Sequence, residues 1–192
     1  MVNESKLIGE YRGKVHNKVL IALLQSYLDV LDYDGLKSIL REAELLELKN
    51  LDDINPNSHM DFFFFKKLIA AQNCLLYESN KVLYEIGKKF SFYLFPYGKK
   101  FEEIIEEINQ LIETDWNIKI IKSKPKKFII SINKCIFCSE IGVPCDLIIG
   151  FLVSSLEKTI PPKTKVVYAS SKKNINDPDH NTFILTLKIE KS

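Results

Sequence analysis

The sequence predicts an α+β chain, with a helical N-terminal half over residues 1–113 packed on a four-stranded, mostly antiparallel sheet formed within residues 114–192. Three observations carry this prediction. Apolar residues recur at helical spacing from Leu20 to Ile112. From Trp116 onward the period changes to alternation. One further apolar helix then separates two pairs of strands.

Leu20, Leu23, Leu24, Tyr27, Leu28 and Leu31 form the stripe of a first helix. Asp34-Gly35 breaks the register, and Asp34 is the expected cap of a second helix carrying Leu36, Ile39, Leu40 and Ala43. Residues 49–60 are polar, contain Pro56 and read as a loop. Asp61 caps a third helix that opens with Phe62 to Phe65 and continues through Leu76. Asn80 opens a fourth, with Leu83, Ile86, Phe90 and Leu94 on one face, ended by Pro96 and Gly98. The fifth has the cleanest pattern: Phe101, Ile104, Ile105, Ile108, Leu111 and Ile112 face inward, and Glu102, Glu103, Glu106 and Glu107 face water.

Trp116, Ile118 and Ile120 then alternate with polar residues, as do Phe128, Ile130 and Ile132 across a Pro125-containing turn. Leu147, Ile148, Phe151, Leu152 and Leu156 make a sixth helix, closed by Pro161-Pro162. Strands over 165–170 and 182–190 complete the sheet. The 192 residues suit a single domain spanning 1–192, with a core that needs no staples.

Composition narrows the function classes. A net charge of +2 argues against a protein built around nucleic acid, and Lys119, Lys122, Lys124, Lys126 and Lys127 read as a solvated turn. No apolar run reaches the ~18–20 residues of a membrane span, and no secretory leader is recognisable, so the expected location is cytoplasmic. There is no GxGxxG, P-loop, GxSxG or HExxH, and His16, His59 and His180 are far apart in sequence. The residues read as a binding domain rather than an enzyme.

The strongest local signal is Cys135-x-x-Cys138 followed by Cys145. A two-residue spacer lets a knuckle aim two thiolates at one tetrahedral ion, with Cys145 as a third ligand and His180, His59, His16 or Cys74 as candidates for the fourth. The same thiols also read as a redox-labile pair or as inert packing. Cys74, between Ala71 and Leu75 on a helix, reads as core. Phe62 to Phe65 cover all sides of a helix, so some must meet a second layer, a ligand or a partner chain.

The segments CIFCSEIGVPCDLIIGFLVSSLE, KVVYASS and NDPDHNTFILTL, in this order, resemble the C-terminal half of the 4-vinyl reductase (hydrocarbon-binding) domain family. DGLKSILREAELLEL and LLYESNKVLYEIGKKFSFYLFPYG are similar to its helices, so the likeness covers nearly the whole chain. It implies the fold of the small subunits of the trafficking-protein-particle (TRAPP) tethering complex, a fold of ligand-binding domains in NO signalling and trafficking. It also implies pairing into a homodimer through the helices and a pocket for a small hydrophobic molecule. Aromatic-sensing members hold a structural zinc beside that pocket. Position by position, Cys145 stands where the first zinc ligand belongs, Tyr168 where a glutamate does, Ser171 where a cysteine does, and His180 beside the last cysteine. Cys135 and Cys138 match an extra CxxC of part of the family, and would complete a Cys3His zinc set with Cys145 and His180.

The resulting expectation is a non-enzymatic sensor or carrier for an apolar or aromatic ligand, lined by Trp116, Tyr84, Phe90 and Tyr93, with a structural zinc. The alternative is a protein-interaction scaffold resembling a trafficking-complex subunit.

Overall fold

The computed structural model describes residues 12–138, 145–170 and 182–191. A short strand, β1 (Lys14–His16), leads into α1 (Asn17–Glu42). His16 caps this helix, its Nδ1 accepting the Lys18 N–H at 3.2 Å. The break in α1 lies at Asp32, whose φ of 60° and ψ of −173° leave the helix. Its Oδ1 accepts the N–H groups of Asp34 and Gly35 at 2.9 and 3.1 Å. The capping side chain is therefore Asp32, with Asp34 inside the first turn that follows.

Residues 46–53 form two short 3-10 turns, and β2 (His59–Asp61) returns to pair antiparallel with β1. Asp61 then caps α2 (Phe62–Leu75) as expected, accepting the Phe63 N–H at 2.8 Å. Phe62 and Phe65 turn into the core, whereas Phe64 is exposed, so the four-Phe run is shared between interior and surface. Next come α3 (Asn80–Leu94) and α4 (Phe101–Leu111), with boundaries close to those predicted. A two-residue strand, β3 (Ile112–Glu113), closes a small sheet in the order β2-β1-β3.

The large sheet has four strands, as predicted. β4 (Asn117–Lys124) and β5 (Lys127–Asn133) form a hairpin; α5 (Asp146–Glu157) crosses over; β6 (Thr164–Ser170) and β7 (Phe183–Lys191) form the second hairpin. The order is β4-β5-β7-β6 and every pairing is antiparallel. The fold is thus α+β with two antiparallel sheets. Nine of the twelve residues of α5 are buried, including Leu147, Phe151 and Leu156, and a helix apolar on all sides lies inside the molecule rather than on it. Among the described residues no helix is long and apolar enough to cross a membrane.

The tightest helix crossing joins α3 to α5. A side chain at Gly87 would place its Cβ 1.9 Å from the Leu147 carbonyl oxygen, and one at Gly150 would lie 2.2 Å from that of Tyr84. Each helix offers a bare backbone where the other's carbonyl arrives. The hydroxyls of Ser91 and Ser155 meet at 2.7 Å, satisfying each other inside the same contact.

Candidate functional site

The end of β5 delivers the chain to the interior. Lys134 turns it with a left-handed φ of 49°, an uncommon conformation for a side-chain-bearing residue. The next four residues, Cys135, Ile136, Phe137 and Cys138, are all buried. Cys138 is joined by a disulfide to Cys145, the residue that precedes the first turn of α5, with a Cα–Cα separation of 5.1 Å. The Cys135 sulfur lies 3.6 Å from that of Cys145. The three sulfurs fall within 4.8 Å of one another.

Phe137 is the apolar element of this knuckle. At 2% exposure it enters the space between helices and sheet and touches three rings: Trp116 at 5.7 Å, Phe90 at 5.8 Å and Phe65 at 6.1 Å between centroids. Phe90 packs in turn on Phe151 at 5.1 Å. Such ring pairs contribute about 0.5–1.5 kcal/mol each beyond the area they bury.

Polar tethers from α2 hold the knuckle's backbone. Asn73 Nδ2 donates to the Phe137 carbonyl at 3.3 Å, and Lys66 Nζ donates to that of Ile136 at 3.4 Å. Behind Asn73, the Tyr27 hydroxyl donates to Gln72 Oε1 at 2.8 Å, and Gln72 Nε2 donates to Asn73 Oδ1 at 3.0 Å. Burial raises the Tyr27 phenol well above its ordinary range, so it stays a donor. Two buried polar atoms, Nε1 of Trp116, whose ring packs on Phe137, and Oδ2 of Asp146, the residue after Cys145, find no partner among the described residues. Burial also raises the Asp146 carboxyl.

The structure brings together three of the four predicted metal ligands, Cys135, Cys138 and Cys145; His180 lies outside the described residues, as does Ser171. It also brings together two of the four predicted lining residues, since Trp116 and Phe90 both rest on Phe137. Tyr84 instead stacks on Tyr168 at 5.8 Å, and burial followed by the Glu157 charge pushes its phenol up to about 12. Tyr93 donates to Asp29 Oδ2 at 2.7 Å near the surface. Sequence reasoning missed Phe137, Asn73 and Gln72. The available signal was a polar pair, Gln72-Asn73, inside the apolar run of a buried helix.

No family model and no curated protein sequence matches the chain. Solved structures do. A doubly substituted Tt H-NOX superposes with a TM-score of 0.61 at 12% identity, over 93% of this chain and 95% of that one. An oxygen-binding H-NOX domain related to soluble guanylate cyclases, in its oxygen complex, gives 0.58 at 13% over 93% and 95%. An unliganded Fe(II) H-NOX variant from K. algicida gives 0.60 at 10% over 93% and 98%. The fold is that of an H-NOX domain. This corrects the resemblance to 4-vinyl reductase domains and TRAPP subunits: the similar structures are H-NOX proteins, and the likeness at Gly150-Phe151 has a packing cause, the approach of the Tyr84 carbonyl.

The expectation of zinc is corrected as well. The similar structures are described through haem, its distortion and its redox potential, and here two of the expected thiolate donors, Cys138 and Cys145, are consumed in a disulfide.

Haem itself can be tested against the residues present. It needs a slot of porphyrin size and an axial donor, commonly His, Cys, Met or Tyr, aimed at its centre. In this chain the space between helices and sheet is taken by Phe65, Phe90, Phe137, Phe151 and Trp116, each at most 4% exposed. The histidines among the described residues, His16 and His59, face each other at the small sheet, near the surface, with ring centroids 4.8 Å apart. The buried Tyr27 hydroxyl is committed to Gln72. The rings leave no slot of porphyrin size and neither His16 nor His59 lies in the interior, so the described residues do not fit a haem.

Proposed function

We propose that this chain is a non-catalytic sensor domain on the H-NOX fold that reads oxidation state through Cys135, Cys138 and Cys145. The observation that carries the reading is the meeting of three sulfurs within 4.8 Å, two of them already bonded, on the knuckle that fills the interior. A disulfide with a third sulfur in reach suits reversible exchange, because attack and release can occur without large movement. Cys145 stands at the N-terminus of α5, so a thiolate released there meets unpaired backbone N–H groups and the positive end of the helix. The similarity to an oxygen-binding H-NOX domain related to soluble guanylate cyclases supports the broader class; the sulfur cluster supports the input.

Thiol counting under denaturant tests it. The oxidised chain is expected to titrate two of its four cysteines, Cys74 and Cys135, and the reduced chain all four. Peroxide should return the count to two. Four thiols before and after peroxide would contradict the reading.

A further inference from the structure

Phe137 and the half-cystine Cys138 are consecutive residues, so the bond that fixes one restrains the other. The knuckle is held shut by the bond from Cys138 to Cys145 and by the α2 tethers on the carbonyls of Ile136 and Phe137. Two features oppose closure. Lys134, the residue that turns the chain into the knuckle, carries a left-handed φ of 49°, a strained backbone for a non-glycine residue. The indole N–H of Trp116, against which the Phe137 ring packs, is buried and has no partner among the described residues, which is costly for a donor. Removing one restraint from an element held between opposed ones shifts its balance toward the arrangement that the restraint disfavoured.

We infer that the Cys138–Cys145 disulfide is a latch on Phe137, and that opening it uncovers, against Phe65, Phe90 and Trp116, a site for a single-ring aromatic molecule bearing a hydrogen-bond acceptor. The inference rests on the redox reading above. The chemistry of the ligand follows from the walls. Three aromatic rings ask for a flat apolar body of about the size of the displaced phenyl group, and the Trp116 N–H asks for one acceptor, a carbonyl or ether oxygen. The opening step is balanced: an external dithiol gives two electrons and two protons, the S–S bond breaks, Cys138 and Cys145 become thiols, and the dithiol becomes a disulfide.

The chain holds a single tryptophan, so its emission reports on Trp116 alone. The full chain is compared oxidised and after dithiothreitol, with thiols counted in each sample, and titrated with acetophenone and with toluene. Reduction is expected to increase acrylamide quenching of Trp116 and to tighten acetophenone binding about tenfold, with a smaller gain for toluene, which lacks the acceptor. F137A with the disulfide intact carries the open site permanently and should bind acetophenone in both states. C145S keeps Phe137 but removes the latch, and should behave as the reduced chain. If reduction yields two new thiols but leaves quenching and acetophenone binding unchanged, the latch is wrong and the redox reading survives. If no thiols appear, the redox reading fails first. Oxidised F137A that excludes acetophenone would overturn the site.

Discussion

Lys158 shows how a charged group is fitted into this molecule. Its ammonium donates to the Ser91 carbonyl at 2.8 Å and to that of Phe95, two acceptors at the C-terminus of α3. A cation suits that end of a helix, yet burial lowers the group from an ordinary 10.5 to about 8. Between those two values the unfolded chain keeps a proton that the folded chain has released. Stability therefore rises with pH across the window from about 8 to 10.5. Lys158→Met retains the apolar stem and removes the titration. Urea melts from pH 7.5 to 10 should show wild type gaining stability relative to the variant as pH rises. A constant difference would contradict the assignment. At this scale the sequence was readable where a side chain acts locally: Asp61 caps α2 as its position before Phe62 requires. It was unreadable where two neighbours compete, as at the α1 break, where Asp32 and Asp34 have the same chemistry and only the backbone decides between them.

Elements were legible in proportion to their length. The alternation of β5 and β7 and the stripe of α4 fix their types, because one face of each is buried, whereas β4 keeps the alternation only through Ile118 and Ile120. The strands of the small sheet are two or three residues long, too short for any period to register, and they exist only because β1 finds partners on both sides. The crossing of α3 and α5 depends on Gly87 and Gly150, and glycine inside a helix is otherwise unfavourable. Gly150→Ala sets a methyl group against the Tyr84 carbonyl, where rigid backbone cannot yield. We expect a loss of about 1–3 kcal/mol, the ordinary cost of overpacking, measured by urea denaturation. A stabilised variant, the result for an exposed helical glycine, would show that the two helices do not approach this closely. For the candidate site, the sequence named the three cysteines but not which two bond: the two-residue spacer pointed to Cys135 and Cys138 as the redox pair, whereas the bond joins Cys138 to Cys145. Phe137 escaped notice because a Phe between two cysteines carries no mark of the rings it will meet.

The molecule as a whole has the outline of an H-NOX domain and an interior filled by its own rings. Those two facts separate the fold from the cofactor named for its structural neighbours. Fold is set by the layers and their crossings, whereas a prosthetic group needs volume and a donor, and here Phe137 and its neighbours take the volume. Hemin added to the purified chain should therefore give no stoichiometric Soret band in either redox state, read by difference absorbance against a globin control. A one-to-one band with a defined axial ligand would show that the aromatic cluster yields to a porphyrin.

A glutathione redox titration with mass-resolved alkylation measures the bond between Cys138 and Cys145 most directly. The chain is equilibrated across glutathione ratios, quenched, labelled and mapped by peptide. Cys138 and Cys145 are expected to gain label together in one two-electron transition as the buffer becomes reducing, while Cys74 is labelled throughout. Label on Cys138 and Cys145 at every ratio, oxidised glutathione alone included, would contradict it.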